Sequence, residues 1–353
     1  MELHSKDKFN FIDFAPKFTQ KQAESLAEEW YGKNVSAKPL PSERDQNFLL
    51  KDKYSEEKYV LKIANKREKK EILELQNLAM KKIGSYLTPL SCPQICLTTE
   101  GKETERIGLR NGEYHYVRMV TYIKGVPLGK VHPHNPYLLC SIGRFIAKID
   151  TVLKDLSHSA SHRDFHWDLQ NGPQTVQRFI KFIENPDKRF LLEYFLDRFQ
   201  SQASKFLSGL NKTVIHNDGN DQNILINISD NQRNGEKQKM SLGIIDFGDM
   251  VFSYTVNDIA VASAYVMLHK KNFMEAASHM IKGYNEIINL TNREFKAIPH
   301  LIYMRLCMSV AISAFQKRQN PENKYLTISE EGAWKLLKRL KKSDLNFMNF
   351  ISK

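Results

Sequence analysis

Val214-Ile215-His216-Asn217-Asp218-Gly219-Asn220-Asp221-Gln222-Asn223-Ile224-Leu225-Ile226 decides how the rest of the chain is read. Two short apolar runs flank a polar loop, which predicts strand, loop, strand. The spacing His216-x-Asp218-x4-Asn223 sets a carboxylate and an amide at fixed offsets between hydrophobic anchors. Further on, Leu242-Gly243-Ile244-Ile245-Asp246-Phe247-Gly248-Asp249 predicts an apolar strand that delivers another Asp at its end.

Phosphoryl transfer to a hydroxyl needs such a set: a carboxylate to take or orient the proton, and oxygen ligands for magnesium. Either triplet alone, HxD or DFG, arises by chance. In this order and with strand-like flanks they form the pattern of a kinase catalytic core.

The bulk properties leave room for that chemistry. At 353 residues and 41% hydrophobic content the chain can build two lobes, each with a core. No apolar run approaches the ~18–20 residues of a membrane span, so no membrane partner is expected. Met1 to Asp7 lacks the charged-then-apolar plan of a secretory signal. Cys92, Cys96, Cys140 and Cys307 are scattered, and Cys92-Pro93-Gln94-Ile95-Cys96 has no second pair to complete a zinc site. Free thiols in a reducing cytoplasm are expected. The net charge of +12 comes from dispersed lysines without interleaved aromatics, so nucleic acid is not an expected partner. A basic surface that attracts polyphosphate fits better.

Outward from the central motif, the N-terminal third reads as strand-rich. Thr19 caps a helix through Trp30, and strands follow at Val35–Leu40 and from Phe48. Between them, Ser42-Glu43-Arg44-Asp45-Gln46-Asn47 occupies the place where a kinase covers the nucleotide phosphates. It contains no glycine, so Ser42, Arg44, Asn47 and backbone N–H groups are the candidates to touch phosphate. Lys62 lies in the alternating strand Lys58-Tyr59-Val60-Leu61-Lys62-Ile63. Burying an ammonium is costly unless it is paired, so Lys62 is a candidate to hold phosphates. Glu74, on the charged helix from about Lys69 to Ile83, is its expected partner, with Glu71 as the alternative. A strand over Glu113–Tyr122 ends at Ile123-Lys124-Gly125-Val126-Pro127-Leu128, which reads as a hinge.

Beyond the hinge almost everything is helical: 137–153, 173–183, 188–206, 256–268, 272–288, 291–315 and 328–341. The polar stretch Asp230–Lys239 reads as an exposed hairpin loop. His162-Arg163-Asp164-Phe165-His166-Trp167-Asp168-Leu169 suits either a packed aromatic corner or the lining of a substrate pocket. Arg305, inside an apolar helix, either snorkels outward or is held in to meet an anion. The expected architecture is therefore α+β and two-lobed: residues 1–122 as a nucleotide-binding lobe, 123–128 as hinge, and 129–353 as a helical catalytic lobe.

The motif pair resembles the aminoglycoside-phosphotransferase and choline-kinase-like superfamily, whose fold is protein-kinase-like. Pro41–Phe48, His162–Leu169, Ile245–Val251, Leu61-Lys62-Ile63 and Glu74-Leu75-Gln76-Asn77 resemble its hydroxylysine-kinase-like branch over nearly the whole chain. The kinase part of bacterial kinase–aminotransferase fusions is similar too. The resemblance implies that Asp218 is the catalytic base and that Asn223 and Asp246 hold Mg²⁺. It also implies that Lys62 with Glu74 positions the phosphates of ATP or GTP. Asn217 stands where many relatives have Gly, and an Asn can adopt the positive φ needed there. His216 then braces the loop.

The function this implies is transfer of the γ-phosphoryl group of ATP or GTP to a small amino-containing alcohol, an amino acid such as hydroxylysine foremost. Arg305 and Arg163 would suit an acceptor carboxylate, Asp164, Asp168 and Asp249 its ammonium end, and Trp167 is a further candidate to line the acceptor's pocket. Aminoglycoside, homoserine or choline kinase activity is the alternative. A nucleotide-binding pseudokinase scaffold is the alternative of a different class, disfavoured because Lys62, Asp218, Asn223 and Asp246 are all present.

Overall fold

The structure, a computed structural model, describes residues 14–88, 91–109, 112–228, 240–322 and 328–343. The polar stretch Asp230–Lys239 and Met1 to Asp7 lie outside the described residues. The chain divides into two compact units, Met1–Ser85 with Cys92–Ile123, and Tyr86–Ser91 with Lys124–Lys353. Unlike the expected continuous lobe, Tyr86–Ser91 packs with the second unit, where the Ile244 N–H donates to the Ser91 carbonyl at 2.8 Å.

The first unit comprises α1 (Gln20–Tyr31), β1 (Val35–Leu40), β2 (Gln46–Asp52), β3 (Lys58–Ile63), α2 (Lys70–Tyr86), β4 (Ile95–Cys96), β5 (Glu105–Gly108) and β6 (Tyr114–Thr121). Thr19 and Gln22 form a capping box at the start of α1, and Gly32 ends it at φ 60°. The strands form one antiparallel sheet in the order β1-β2-β3-β6-β4, with β5 also on β6. Period-two alternation sends Phe48, Leu50, Leu61, Ile63, Val117 and Met119 to one face, where they pack with Ala23, Leu26 and Ala27 of α1. Each large apolar side chain buried there contributes roughly 1.5–3 kcal/mol. The opposite face carries a polar row, because Asn47 pairs with Lys62 and Lys62 with Arg118 across β2, β3 and β6.

The second unit adds β7 (Val126–Pro127), α3 (Pro136–Leu153), α4 (Gly172–Phe179), α5 (Pro186–Arg198), α6 (Ser204–Leu207), β8 (Lys212–Ile215), β9 (Ile224–Ile228), β10 (Met240–Ile244) and β11 (Val251–Tyr254). Helices α7 (Asn257–Val266), α8 (Phe273–Asn285), α9 (Asn292–Gln319) and α10 (Glu330–Lys342) complete it. The central motif is β8, loop, β9. β9 pairs with β10 and with β7, so Val126 and Pro127 of the expected hinge are a short strand; β8 pairs with β11. Every residue of α7 is buried. By length and composition α9 is apolar enough to cross a membrane, although Arg305 interrupts its apolar run; 94% of that stretch is buried inside the structure.

Candidate active site

Hydrogen bonds at every step set the loop between β8 and β9. Asp258, on the otherwise largely apolar α7, accepts the His216 N–H on Oδ2 at 2.9 Å and the Asn217 N–H on Oδ1 at 2.6 Å. Asn217 then turns the chain at φ 66°, and its amide donates to the carbonyls of Trp167 (3.3 Å) and Asp249 (3.2 Å). His216 is buried, which pushes its imidazole below the ordinary value and keeps it neutral. Its Nδ1 accepts the Asp218 N–H at 3.3 Å, and its ring meets Phe247 edge-on at 4.8 Å. Asn220 Oδ1 accepts the N–H groups of Gln222 and Asn223, closing the loop back toward β9.

This frame presents Asp218. Its Oδ1 accepts from Arg305 at 2.9 Å and from Asn220 at 3.0 Å; its Oδ2 accepts from Asn223 Nδ2 at 2.7 Å. Asn223 Nδ2 also donates to the Asp218 carbonyl, so the amide oxygen of Asn223 is the end left for other partners. Burial pushes the Asp218 carboxyl well above the usual carboxylate range, and the charge of Asp249 raises it further; Arg305 opposes this, and Asp246 adds to it.

Arg305 is 2% exposed. Its guanidinium lies 4.4 Å from the Trp167 ring centroid and 5.6 Å from that of Tyr265, and it donates to the Trp167 carbonyl at 3.3 Å. A guanidinium placed over both rings and joined to Asp218 by a charge-assisted bond is a task for Arg, not Lys. Asp246 follows β10 at φ 64° and is exposed; its Oδ1 accepts the Gly248 N–H at 3.4 Å. The turn after it is held by Arg163, which donates to the carbonyls of Met250 (3.1 Å) and Gly248 (2.7 Å) and stacks on Phe165.

The structure thus brings Asp218, Asn223 and Arg305 together, with Trp167 and Asp249 beside them and both buried. The expectation that Arg305 and Arg163 receive a substrate carboxylate is corrected. Arg305 spends its guanidinium on Asp218 and Trp167, and Arg163 on two backbone carbonyls. Asp164 is exposed, and Asp168 is a buried cap that accepts from Gln170 and Ser253.

In the first unit, the expected Lys62–Glu74 pair is not formed. Glu74 is exposed and pairs with Lys70 one turn earlier at 3.0 Å. Gln76 and Asn77 of α2 meet the sheet instead, and Arg118 donates to both. Glu71 is exposed as well. Asn47 belongs to β2, not the turn, and stands opposite Lys62. The glycine-free turn is pinned by Asn65, whose N–H donates to Asp45 and whose amide donates to the Arg44 carbonyl. Ser42 and Arg44 are partly exposed on it.

Sequence reasoning misses Asp258, Asn220 and Arg118. A signal exists for Asp258: a carboxylate in an otherwise apolar helical run must be partnered. The donor set also fits a divalent cation. Asn223 offers an oxygen, and the charges of Asp246 and Asp249 both bear on Asp218. Among the described residues no three His, Cys, Asp or Glu side chains form a metal cage.

Comparison with known proteins shows the family. Residues 36–286 match the model of the phosphotransferase enzyme family, and the chain belongs to that family. It is 32% identical to mouse (Mus musculus) hydroxylysine kinase over 342 residues, covering 92% of this chain and 90% of that protein. Among solved structures, a microcompartment-associated aminopropanol kinase superposes with a TM-score of 0.71 at 16% identity, covering 92% of this chain and 98% of the other. The amicoumacin kinase hAmiN in complex with AMP-PNP, Ca²⁺ and Ami superposes with a TM-score of 0.67 at 14% identity, covering 94% and 97%. At these identities the two structures show a shared fold.

Proposed function

We propose that this phosphotransferase is a small-molecule kinase that moves the γ-phosphoryl group of ATP or GTP to the hydroxyl of an amino alcohol, with hydroxylysine the foremost acceptor. The observation that carries the proposal is the state of Asp218. A carboxylate has about four acceptor positions; Arg305 and Asn220 occupy Oδ1, and Asn223 takes one on Oδ2. One position on Oδ2 remains, on a side chain that is 18% exposed. That is where an acceptor hydroxyl would donate.

Asp218 orients the hydroxyl for attack and receives its proton as the new O–P bond forms. Arg305 fixes the carboxylate's plane so that little reorganisation is needed at that moment. Asn223 Oδ1 and Asp246 would hold Mg²⁺, which when bound neutralises phosphate charge. Lys62, with Asn47 opposite it and Ser42 and Arg44 on the turn before β2, is assigned to the nucleotide phosphates. Support for the acceptor class comes from the hydroxylysine kinase relatives and the aminopropanol kinase fold. The four free cysteines suit a reducing cytoplasm, where such donors are found.

The test is an acceptor screen. Purified protein with Mg²⁺ and either ATP or GTP is offered hydroxylysine, homoserine, choline, ethanolamine and kanamycin, and release of ADP or GDP is followed together with mass detection of the phosphorylated product. The proposal expects hydroxylysine to give the highest kcat/KM. Turnover confined to kanamycin would make this an antibiotic kinase, and nucleotide binding without turnover on any alcohol would favour the pseudokinase.

A further inference from the structure

Behind the loop that carries Asp218 lies a buried pair of acids that the chemistry above does not use. Asp150 of α3, Asp258 of α7 and Tyr284 of α8 are 1%, 2% and 0% exposed. Asp258 uses both carboxylate oxygens to accept the N–H groups of His216 and Asn217. Asp150 Oδ2 accepts the Tyr284 hydroxyl at 2.6 Å, while its Oδ1 has no donor at all. Asp258 acts directly on Asp150, and its negative charge raises the Asp150 carboxyl.

Two interacting carboxyl groups in a dry interior cannot both be ionised without a cation. Among the described residues, none of those whose charges act most on Asp150 and Tyr284 is a cation. Asp258 and Tyr284 face Asp150 from α7 and α8; Glu294 of α9 faces Tyr284; and the neutral His216 faces Asp258 from the loop. One proton must therefore sit between the acids. Asp258 already spends both oxygens on N–H bonds, so the donor-less Oδ1 of Asp150 is the atom that carries the hydrogen.

We propose that Asp150 is a positioning residue that acts as a carboxylic acid: its Oδ1–H donates to Asp258 and thereby fixes the carboxylate that grips the His216–Asn217 backbone and aims Asp218. Burial and the charge of Asp258 both push the Asp150 carboxyl far above its ordinary range, in the direction this requires. Tyr284, Asp150, Asp258 and the loop form one hydrogen-bonded chain through three helices. The link to catalysis rests on the kinase function proposed above; the location of the proton does not.

Asp150→Asn and Asp150→Leu separate the parts. The Asn amide can donate to Asp258 and accept from Tyr284; Leu can do neither. In unfolded wild-type protein Asp150 ionises near its ordinary value, whereas in the fold it keeps its proton. Wild-type stability from this group is therefore full at low pH and falls as pH rises above about 4, the ordinary carboxylate value. The Tm of Asp150→Asn relative to wild type should accordingly climb as pH rises from about 4.5. A pH-independent difference overturns the proton assignment, and this readout needs no acceptor.

For positioning, hydrogen exchange of the peptide containing His216 and Asn217 should stay protected in Asp150→Asn and become at least tenfold faster in Asp150→Leu. kcat should stay within about threefold of wild type for Asn and fall at least tenfold for Leu, with nucleotide KM changing less. Equal exchange and equal kcat in folded Asn and Leu variants would overturn the positioning role. If no amino alcohol is turned over, the exchange and Tm results still decide the dyad on their own.

Discussion

Arg305 and Asp218 form an ion pair at 2.9 Å whose two ends live in different surroundings: the arginine side chain is 2% exposed and the aspartate 18%. The buried end lies over Trp167 and Tyr265 and cannot swing. The open end keeps one acceptor position for a hydroxyl. The pair therefore works as a mount, holding a base by the oxygen that is not needed. Arg305→Met, which keeps the apolar stem and loses the mount, should lower kcat by about 10–100-fold, the order expected for misplacement of a reacting group by ~1 Å. Nucleotide KM should move far less. Arg305→Lys should fall between, because one ammonium cannot pair with Asp218, stack on Trp167 and reach its carbonyl together. Steady-state kinetics on both variants checks this, and unchanged kcat in Arg305→Met would remove Arg305 from the site.

Asn217 offers a second test, since its backbone and side chain do separate things. Its φ of 66° is left-handed, a conformation that costs an L residue with a Cβ roughly 1–2 kcal/mol and glycine nothing. Its amide bonds to the Trp167 and Asp249 carbonyls hold the loop against its neighbours. Asn217→Gly and Asn217→Ala both lose those bonds, and only Ala adds strain. Urea unfolding should rank wild type above Gly and Gly above Ala, with Gly and Ala about 1 kcal/mol apart. The opposite order for Gly and Ala would mean that the turn does not hold this φ.

Much of this is legible in the amino-acid sequence alone, and the limits have physical reasons. His216-x-Asp218-x4-Asn223 and Asp246 can be placed because strand, loop and carboxylate are all local in sequence, as is the Thr19 capping box. The Lys62–Glu74 pairing fails because the rotation of α2 over the sheet depends on tertiary packing: Gln76 and Asn77 face Arg118, which leaves Glu74 outside with Lys70. Arg305 and Arg163 are recognisable as inward-held cations, yet their partners are 87 and 85–87 residues away along the chain, and no periodicity reveals a contact of that range. Asp150 is hidden among the apolar residues of α3, although a carboxyl on the buried stripe is itself a signal.

A third prediction concerns pH and sits away from the catalytic loop. His300 of α9 is buried beside Phe206, with Nδ1 2.6 Å from the Tyr303 hydroxyl. Burial first, then the charges of Arg198 and Lys205, push it down from 6.5 to about 4. In the unfolded chain it takes a proton below about 6.5, while in the fold it resists until about 4. Stability is therefore unaffected above that range and falls as pH drops through it, by up to about 3 kcal/mol at 1.36 kcal/mol per pH unit. His300→Asn removes this slope. The Tm advantage of wild type over His300→Asn should shrink between pH 7 and pH 4.5, and a constant difference would mean that the imidazole titrates normally in the fold.

The fourth prediction concerns how closely α3 and α8 approach. Gly143 of α3 lies where a Cβ would overlap the Met280 carbonyl oxygen, and Gly283 of α8 where one would overlap that of Cys140. The contact is reciprocal: each glycine faces a carbonyl three residues before the other glycine. Gly143→Ala gains about 1 kcal/mol of helix propensity but must force two backbones apart, so a net loss of about 1–3 kcal/mol is expected. The double variant Gly143→Ala/Gly283→Ala should lose less than the sum of the single losses, because one separation makes room for both methyl groups. The same separation moves Asp150 on α3 and Tyr284 on α8, so kcat should fall in the fraction that remains folded. Full additivity in urea unfolding would show that the two glycines relieve independent clashes.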